Sequence, residues 1–392
     1  MLKIIIIAGE HSGDILGSKV MASIKKFYQG KIFFEGVGGP LMHKEGLCKN
    51  LIPFQDLSVM GIVEIIPKLT RLISHLSYLR KYIISSKPDI LITIDSPDFN
   101  FRIVSKLKKY KFSKIHFVAP SVWAWRPGRA KKISKYYDHL FTLLPFEPKF
   151  FIKHGLSSSY IGNPVIESFK EGNQNFLSKQ MNLKLDDKIL LVLPGSRLNE
   201  LKRMLPVYIH TSIIMMKKID NLKVIYMVPE EYMNMTKKYL KNLNSISNDL
   251  PKVFSAKDKY DIFPSVDIAL ATSGTVSLEL AISKIPSVIG YKMSFFTYFI
   301  LKLLVRTEWI SLPNIILNKL IYPEFIQNKC TSNNLYEAVS SLLLDEQKYQ
   351  RQINEISKVK KELLVEDNLL DEYVPSIIVN EKSKYIVNEK SK

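Results

Sequence analysis

The sequence predicts two α/β domains, each built on a doubly wound parallel sheet. Short, almost continuously apolar runs alternate with longer helical patterns, and polar, often glycine-containing motifs come directly after several of these runs. Strands that are apolar on both faces belong to sheets covered by helices on both sides. At 392 residues the chain is long enough for two such cores.

The predicted strands fall into two groups. Five lie in the first half, in KIIIIAG, KIFFEGVG, DILITID, KIHFVAP and HLFTLLP, and four follow in KILLVLPG, LKVIYMVP, DIALATSG and PSVIGY. A polar segment, KEGNQNFLSKQ, separates the two groups. We therefore expect a first domain at 1–168, a second at 169–345, and a helix pattern with a polar, partly duplicated tail at 346–392.

The composition limits the function classes. The net charge is +19, and the stretch 102–135 holds eleven Lys and Arg residues, two tryptophans and no Asp or Glu, which favours an anionic partner. The two cysteines lie far apart and the histidines lack ligand spacing, so we predict neither a disulfide framework nor a metal site. We also expect no cofactor. Apolar runs are too short for a signal peptide or a membrane span, which predicts a soluble or peripheral protein in a reducing cytosol.

Two motifs in the second half predict nucleotide binding. LPGSR ends a strand with Ser196 and Arg197, where the amides of a helix start and a guanidinium suit a diphosphate. TSGTVSLELA repeats the device, and a glutamate one turn inside the helix can accept ribose hydroxyls; its candidate residues are Ser273, Gly274, Thr275 and Glu279. Either motif alone is also compatible with ordinary turn geometry and helix capping.

Two motifs in the first half follow strands and carry acidic residues. Asp95 comes directly off the run LITI and can act as a general base, whereas Asp98 suits a helix cap. GEHSGD follows the first strand, and its acidic character argues against phosphate binding. The apolar stripe at 61–83 is typical of a core-facing helix or of a surface for a membrane or acyl chains.

The set of motifs resembles the lipid-A-disaccharide synthase family. The resemblance rests on motifs that occur in the family's order between residue 3 and about 325: AGEHSGDILG, GVGGPLM, VMGIVEI, DSPDFN, PSVWAWR, LPFE, LPGSR, SGTVSLE, VIGYKMSFFTY and SLPNII. It implies a GT-B fold with two Rossmann-like domains facing a cleft, and a C-terminal helix that returns to the first domain. Asn163 stands where the family commonly has His, and the duplicated tail has no known family counterpart.

The resemblance also implies an activity and residue roles. Family members are inverting glycosyltransferases that join UDP-2,3-diacylglucosamine to 2,3-diacylglucosamine 1-phosphate, giving a β-1′,6-linked disaccharide phosphate and UDP without a metal. They work at the inner face of the bacterial cytoplasmic membrane. Asp95 matches the candidate general base, Glu10 and Ser12 match functional positions near the acceptor, and Asn314 joins the UDP-binding set. The stripe at 61–83 becomes an expected acyl-chain or membrane surface.

Two other functions compete with this expectation. Another GT-B enzyme of UDP-N-acetylglucosamine, either a peptidoglycan transferase or a 2-epimerase, shares the nucleotide motifs but not PSVWAWR and DSPDFN together. A nucleic-acid-binding protein fits the positive charge, but both tryptophans of 102–135 lie in one short loop after a strand rather than along a groove. We expect no nucleic-acid partner and assign no role to His11.

Overall fold

The computed structural model describes two compact units. The described residues are 1–57, 69–170, 172–241, 250–294, 298–299, 304–305, 307–365 and 369–381. The first unit comprises the described residues of Met1–Asn163 and Val365–Lys392, and the second comprises those of Pro164–Leu364.

The first unit is built on a parallel sheet. Among the described residues seven strands pair in the order β3-β2-β1-β4-β5-β6-β7. They are β1 Leu2–Ala8, β2 Ile32–Val37, β3 Leu47–Asn50, β4 Ile90–Ile94, β5 Ser113–Phe117, β6 His139–Thr142 and β7 Ser157–Tyr160. Helices between them are His11–Phe27, Pro40–Lys44, Leu69–Ser86, Pro97–Val104, Gly128–Ile133 and Lys149–Ile152.

The first sheet is covered on both faces, as the apolar runs predicted. Alternate residues of β1 enter opposite cores: Ile5 and Ile7 pack in one cluster, while Ile4 and Ile6 pack in the other. All four side chains are fully buried. A strand in this position can carry no polar side chain without a buried partner, which explains the uninterrupted isoleucines.

The second unit repeats the architecture. Six described strands pair in parallel in the order β10-β9-β8-β11-β12-β13. They are β8 Lys188–Leu193, β9 Leu222–Val228, β10 Lys252–Ser255, β11 Ile268–Thr272, β12 Ser287–Tyr291 and β13 Glu324–Ile326. The helices are Pro164–Ser168, Phe176–Met181, Leu198–Lys218, Met233–Lys241, Lys259–Ile262, Val276–Ile282, Leu312–Leu317, Ser332–Leu344 and Glu346–Leu363. Two buried clusters cover its two faces, so the predicted class of two doubly wound α/β domains is confirmed.

The division between the units differs from the expected one, because the second unit begins at Pro164 rather than at 169, and it also differs at the C-terminus. The helix Glu346–Leu363 belongs to the second unit, where Ile356, Val359 and Leu363 are buried in its core. Only the chain from Val365 onward joins the first unit, where Val374 and Ile378 pack against the sheet. The apolar stripe of a helix does not show which sheet the helix covers. For that reason we expected 346–363 to return to the first domain, whereas it packs in the second unit.

The stripe at 61–83 is described from residue 69 onward, and its first part lies outside the described residues. In the helix Leu69–Ser86, Leu76, Leu79 and Ile83 are buried in the core of the first unit, whereas Ile73 is exposed. The three buried side chains cover the sheet, so they do not form the expected acyl-chain surface. Within the described residues, no helix has the length and apolar character needed to cross a membrane.

Candidate functional site

The predicted motifs lie where the strand order of each sheet reverses. In the first unit β1 lies between β2 and β4, and in the second unit β8 lies between β9 and β11. The chains leaving β1 and β4, or β8 and β11, therefore diverge to opposite faces of the sheet and leave a crevice at the carboxyl ends of the strands. Open α/β sheets bind their ligands at this point.

In the first unit, the motif after β1 packs directly on the motif after β4. A Cβ atom placed on Gly9 would lie 2.2 Å from the hydroxyl oxygen of Ser96, the residue that follows Asp95. Only a residue without a side chain permits this close approach. The glycine of GEHSGD thus serves the contact between two strand ends and not a phosphate.

Asp95 is held in an unusual backbone conformation. Its φ is +54° and that of Ser96 is +41°, both in the left-handed region, which costs energy for residues other than glycine. The Asp95 carboxylate accepts a hydrogen bond of 2.8 Å from the Ser96 amide, and the Asp95 carbonyl accepts one of 2.7 Å from the Asn100 side chain. Burial raises the pKa of the Asp95 carboxyl above its ordinary value, and the Ser96 hydrogen bond opposes this only in part. A carboxylate with a raised pKa is a stronger base.

The acidic residues of GEHSGD have different surroundings. Glu10 is the N-cap residue of the helix His11–Phe27 and is partly exposed, while His11 and Ser12 are exposed. Asp14 is fully buried, and its carboxylate accepts hydrogen bonds from the amides of Leu41 and Met42 at 3.1 and 2.9 Å. Asp14 therefore anchors the neighbouring helix, which leaves Glu10, His11 and Ser12 as the accessible polar residues of the motif. The functional roles of Glu10 and Ser12 stay a prediction.

In the second unit, a cavity of about 250 Å³ brings both nucleotide motifs together. It is lined after β8 by Gly195 and Ser196 and after β11 by residues 273–276 and Glu279. Most of the predicted UDP-binding residues thus border one space; Arg197 and Asn314 do not line it. The contacts with a nucleotide stay a prediction.

The amides at the first motif are engaged by a residue of the chain itself. One oxygen of the Glu200 carboxylate accepts hydrogen bonds from the amides of Ser196 and Arg197, at 3.2 and 3.4 Å. The other oxygen lies 3.4 Å from the guanidinium of Arg197, whose side chain is 66% exposed. These groups were expected to be free for a diphosphate. A carboxylate instead occupies the position where the helix start and the guanidinium favour an anion.

The cavity contains a cation that sequence reasoning missed. The Lys259 ammonium lies 2.8 Å from the Glu279 carboxylate, and both residues line the cavity. Lys259 comes shortly after β10 and is not part of a recognisable sequence motif. Only the folded structure brings it into the cavity. Beside these residues, a Cβ atom on Gly274 would meet no atom within 4 Å from the described part of the chain beyond its two sequence neighbours. The room above Gly274 lets a ligand approach the backbone closely.

Asn314 is fully buried, and hydrogen bonds within the protein engage both ends of its amide. Its oxygen accepts from the amides of Ile321 and Tyr322, each at 2.9 Å. Its nitrogen donates to the Tyr322 carbonyl and to the Glu324 carboxylate, both at 2.8 Å. Asn314 therefore does not present its amide to the cavity in this structure.

Asn314 is nevertheless connected to the nucleotide motif. The Glu324 carboxylate also accepts from the amides of Ile310 and Ser311, at 2.8 and 2.9 Å. The carbonyl of Ile310 in turn accepts a hydrogen bond of 2.7 Å from the Ser273 hydroxyl. Glu324, another residue that sequence reasoning missed, thus links Asn314 to the loop that holds Ser273. The arrangement supports a positioning role for both residues.

The PSVWAWR and LPFE motifs meet in the first unit. The Trp123 indole donates a hydrogen bond of 3.1 Å to Glu147, whose other oxygen accepts one of 3.1 Å from the Leu144 amide. Glu147 is only 4% exposed, and burial raises the pKa of its carboxyl to about 7. The nearby Asn163, in the position of the family's usual His, is also buried and donates to the Leu143 carbonyl at 3.0 Å.

Solved structures share the architecture of two parallel-sheet α/β domains. The chain is similar to Staphylococcus aureus MnaA, solved with UDP, with a TM-score of 0.60 and 15% identity over 99% of this chain and 97% of that one. It is also similar to Acinetobacter baumannii MurG, with a TM-score of 0.56 and 11% identity over 97% and 100%. At these identities the likeness shows the GT-B fold alone.

Similarity of sequence identifies the family. The model of the lipid-A-disaccharide synthetase family matches residues 4–378. A lipid-A-disaccharide synthase of Rhodospirillum centenum is 37% identical over 92% of this chain and 90% of its own, and one of Rickettsia conorii is 37% identical over 94% and 85%. The motifs at both switch points, the GT-B fold and these matches together show that the chain belongs to the lipid-A-disaccharide synthase family.

Proposed function

We propose that the chain joins UDP-2,3-diacylglucosamine to 2,3-diacylglucosamine 1-phosphate and releases UDP. The observation that carries this proposal is the family match over residues 4–378. A peptidoglycan transferase or a 2-epimerase shares the fold, but the curated relatives at 37% identity carry the synthase name. The family match therefore favours the synthase over these alternatives.

The proposed reaction is one displacement at the anomeric carbon of the donor. Asp95 takes the proton of the acceptor's 6-hydroxyl while its oxygen forms the new glycosidic bond, and the bond to UDP breaks with its electron pair leaving on the diphosphate. Attack from the face opposite UDP inverts the anomeric centre and gives a β linkage. The partly buried position of Asp95 and its raised pKa support this role. Glu10 and Ser12 hold acceptor hydroxyls beside it.

The second unit binds the donor in this proposal. Glu279 accepts ribose hydroxyls, Ser273, Gly274 and Thr275 offer polar groups and open backbone, and the charge of departing UDP is met by Arg197 and Lys259. Glu200 must leave the amides of Ser196 and Arg197 before a diphosphate can use them. The open space above Gly274 and the presence of Lys259 in the cavity support this assignment.

We also propose that the protein works as a peripheral protein on the inner face of the cytoplasmic membrane. Both proposed substrates carry acyl chains, and the net charge of +19 favours an anionic lipid surface. Each basic residue close to an anionic membrane contributes roughly 1 kcal/mol to the free energy of membrane binding, and salt weakens this attraction.

Replacing the proposed base tests the mechanism. Asp95→Asn keeps the size of the side chain and removes its basicity, so kcat should fall by about 10²–10⁴-fold while the Kd for UDP stays unchanged. Turnover is measured as UDP release with acylated acceptors, and UDP binding by calorimetry. Loss of UDP binding together with turnover would assign Asp95 to folding or donor binding, and equal turnover of acylated and non-acylated acceptors would refute the lipid substrate.

A further inference from the structure

A basic groove in the first unit remains without a function. It has a volume of about 630 Å³ and lies between the helices Pro97–Val104 and Gly128–Ile133. Four cations and three apolar or aromatic side chains line it, together with one carboxylate. The cations are Arg102, Arg126, Arg129 and Lys132; the others named here are Phe101, Ile133, Tyr136 and Asp98.

The charges of the groove are poorly neutralised. Asp98 pairs with Arg129 at 2.8 Å. Within the described part of the chain, Arg102, Arg126 and Lys132 lie within 4 Å of no carboxylate. Four cations against one carboxylate in a concave space produce a strong attraction for an anion.

Two of the arginines are held in place before any ligand binds. The Arg126 guanidinium stacks on the Trp125 ring at 4.3 Å, and the Arg129 guanidinium lies over the Phe101 ring at 5.6 Å. Arg126 also has a φ of +51°, a strained conformation for a residue other than glycine. Because their flat guanidinium groups are oriented in advance, less side-chain freedom is lost when they bind a phosphate by paired hydrogen bonds.

The groove lies close to Asp95. Asp98, which lines it, is three residues further along the chain, and three residues span at most about 10 Å. In a hexose the anomeric carbon and the carbon that bears the 6-hydroxymethyl group both flank the ring oxygen, so the anomeric substituent lies within the span of one sugar ring from the 6-hydroxyl. An anionic group on the anomeric carbon would therefore reach toward the groove.

We propose that this groove binds the phosphate of the sugar 1-phosphate acceptor and so orients its 6-hydroxyl toward Asp95. The proposal rests on the proposed function. The aromatic and apolar residues contact the sugar ring, and the arginines and Lys132 contact the phosphate. An anionic lipid headgroup offers the same chemistry, but a built concave site next to the proposed base favours the acceptor.

The test compares two neighbouring lysines with two acceptors. Both lysines are exposed, but Lys132 lines the groove and the adjacent Lys131 does not. Kinetics are measured with diacylglucosamine 1-phosphate and with diacylglucosamine lacking the phosphate. Lys132→Ala and Arg102→Ala should raise the KM for the phosphorylated acceptor by about tenfold or more and leave that for the other acceptor unchanged. Lys131→Ala should behave as the wild type.

A binding measurement separates this proposal from the proposed function. The wild-type protein should bind glucosamine 1-phosphate more tightly than glucosamine by calorimetry, and Lys132→Ala should lose the difference. If the wild type prefers glucosamine 1-phosphate to glucosamine but forms no disaccharide, the assignment of the groove to a sugar phosphate is retained and the proposed function is refuted. Vesicles of phosphatidylcholine, with and without phosphatidylglycerol, provide the third arm. If Lys132→Ala binds the anionic vesicles more weakly than the wild type but discriminates equally well between the phosphorylated and the non-phosphorylated acceptor, the proposal is overturned. The groove would then be a surface for lipid headgroups.

Discussion

The buried Glu147 predicts a specific dependence of stability on pH. Burial of the side chain raises the pKa of this carboxyl from its ordinary value of 4.5 to about 7 in the folded protein. Between these two values the folded protein binds the proton more tightly than the unfolded chain does. The free energy of unfolding therefore falls as the pH rises through this window and levels off above it.

The size of the effect follows from the shift. One pKa unit corresponds to about 1.4 kcal/mol, so raising the pH from 5.5 to 8.5 should remove about 2 kcal/mol through Glu147 alone. Glu147→Gln cannot ionise and should lose this component. Trp123→Phe removes the hydrogen bond that lowers the pKa of Glu147, so it should move the window to higher pH.

Urea unfolding at several pH values measures this component. The chain has three tryptophans, and a Trp309→Phe background leaves Trp123 and Trp125 as fluorescent reporters of the first unit. Within this background, subtracting the pH profile of Glu147→Gln from that of the chain with Glu147 intact removes the contribution of every other titrating group. The same pH dependence in both proteins would show that Glu147 does not bind its proton more tightly in the folded state.

Three further substitutions test the second unit. Glu200→Gln removes the carboxylate from the amides of Ser196 and Arg197, so UDP should bind several-fold more tightly by calorimetry; weaker binding would show that Glu200 supports the site. Gly274→Ala should leave thermal unfolding unchanged and weaken UDP binding, and unchanged affinity would place the diphosphate elsewhere. Asn314→Ala leaves buried amides without a partner and should cost about 1–3 kcal/mol in urea unfolding, whereas an unchanged midpoint would contradict the observed network.

The sequence predicted the fold class and the position of the motifs because both depend on local patterns. Apolar runs such as IIIIA are compatible with few environments other than a strand buried on both faces, and a turn after a parallel strand must emerge at the carboxyl edge of the sheet. The order of the motifs then places them at the switch points. These features need no knowledge of distant contacts.

The details of the candidate site depend on contacts between distant segments. Lys259 reaches Glu279, and Asn314 reaches Glu324, only through the folded sheet. Asp14 reads as part of an acidic motif but is used to anchor the helix Pro40–Lys44. Glu200 lies near its partners in sequence, yet the residue at the N-cap is Arg197, whose side chain cannot accept a hydrogen bond. The Ser or Thr that marks a capping box is therefore missing, and only the contacts from Glu200 to the Ser196 and Arg197 amides are formed.

The proposed function is tested most directly by the formation of a disaccharide from two diacylated substrates. The purified full chain is incubated with UDP-2,3-diacylglucosamine and 2,3-diacylglucosamine 1-phosphate, and the product is analysed by mass spectrometry and by NMR of the new anomeric proton. The expected product is a tetraacylated disaccharide monophosphate with a β-1′,6 linkage, and one UDP should be released per linkage. Release of UDP without a disaccharide, an α linkage, or epimerisation of a UDP-sugar would contradict it.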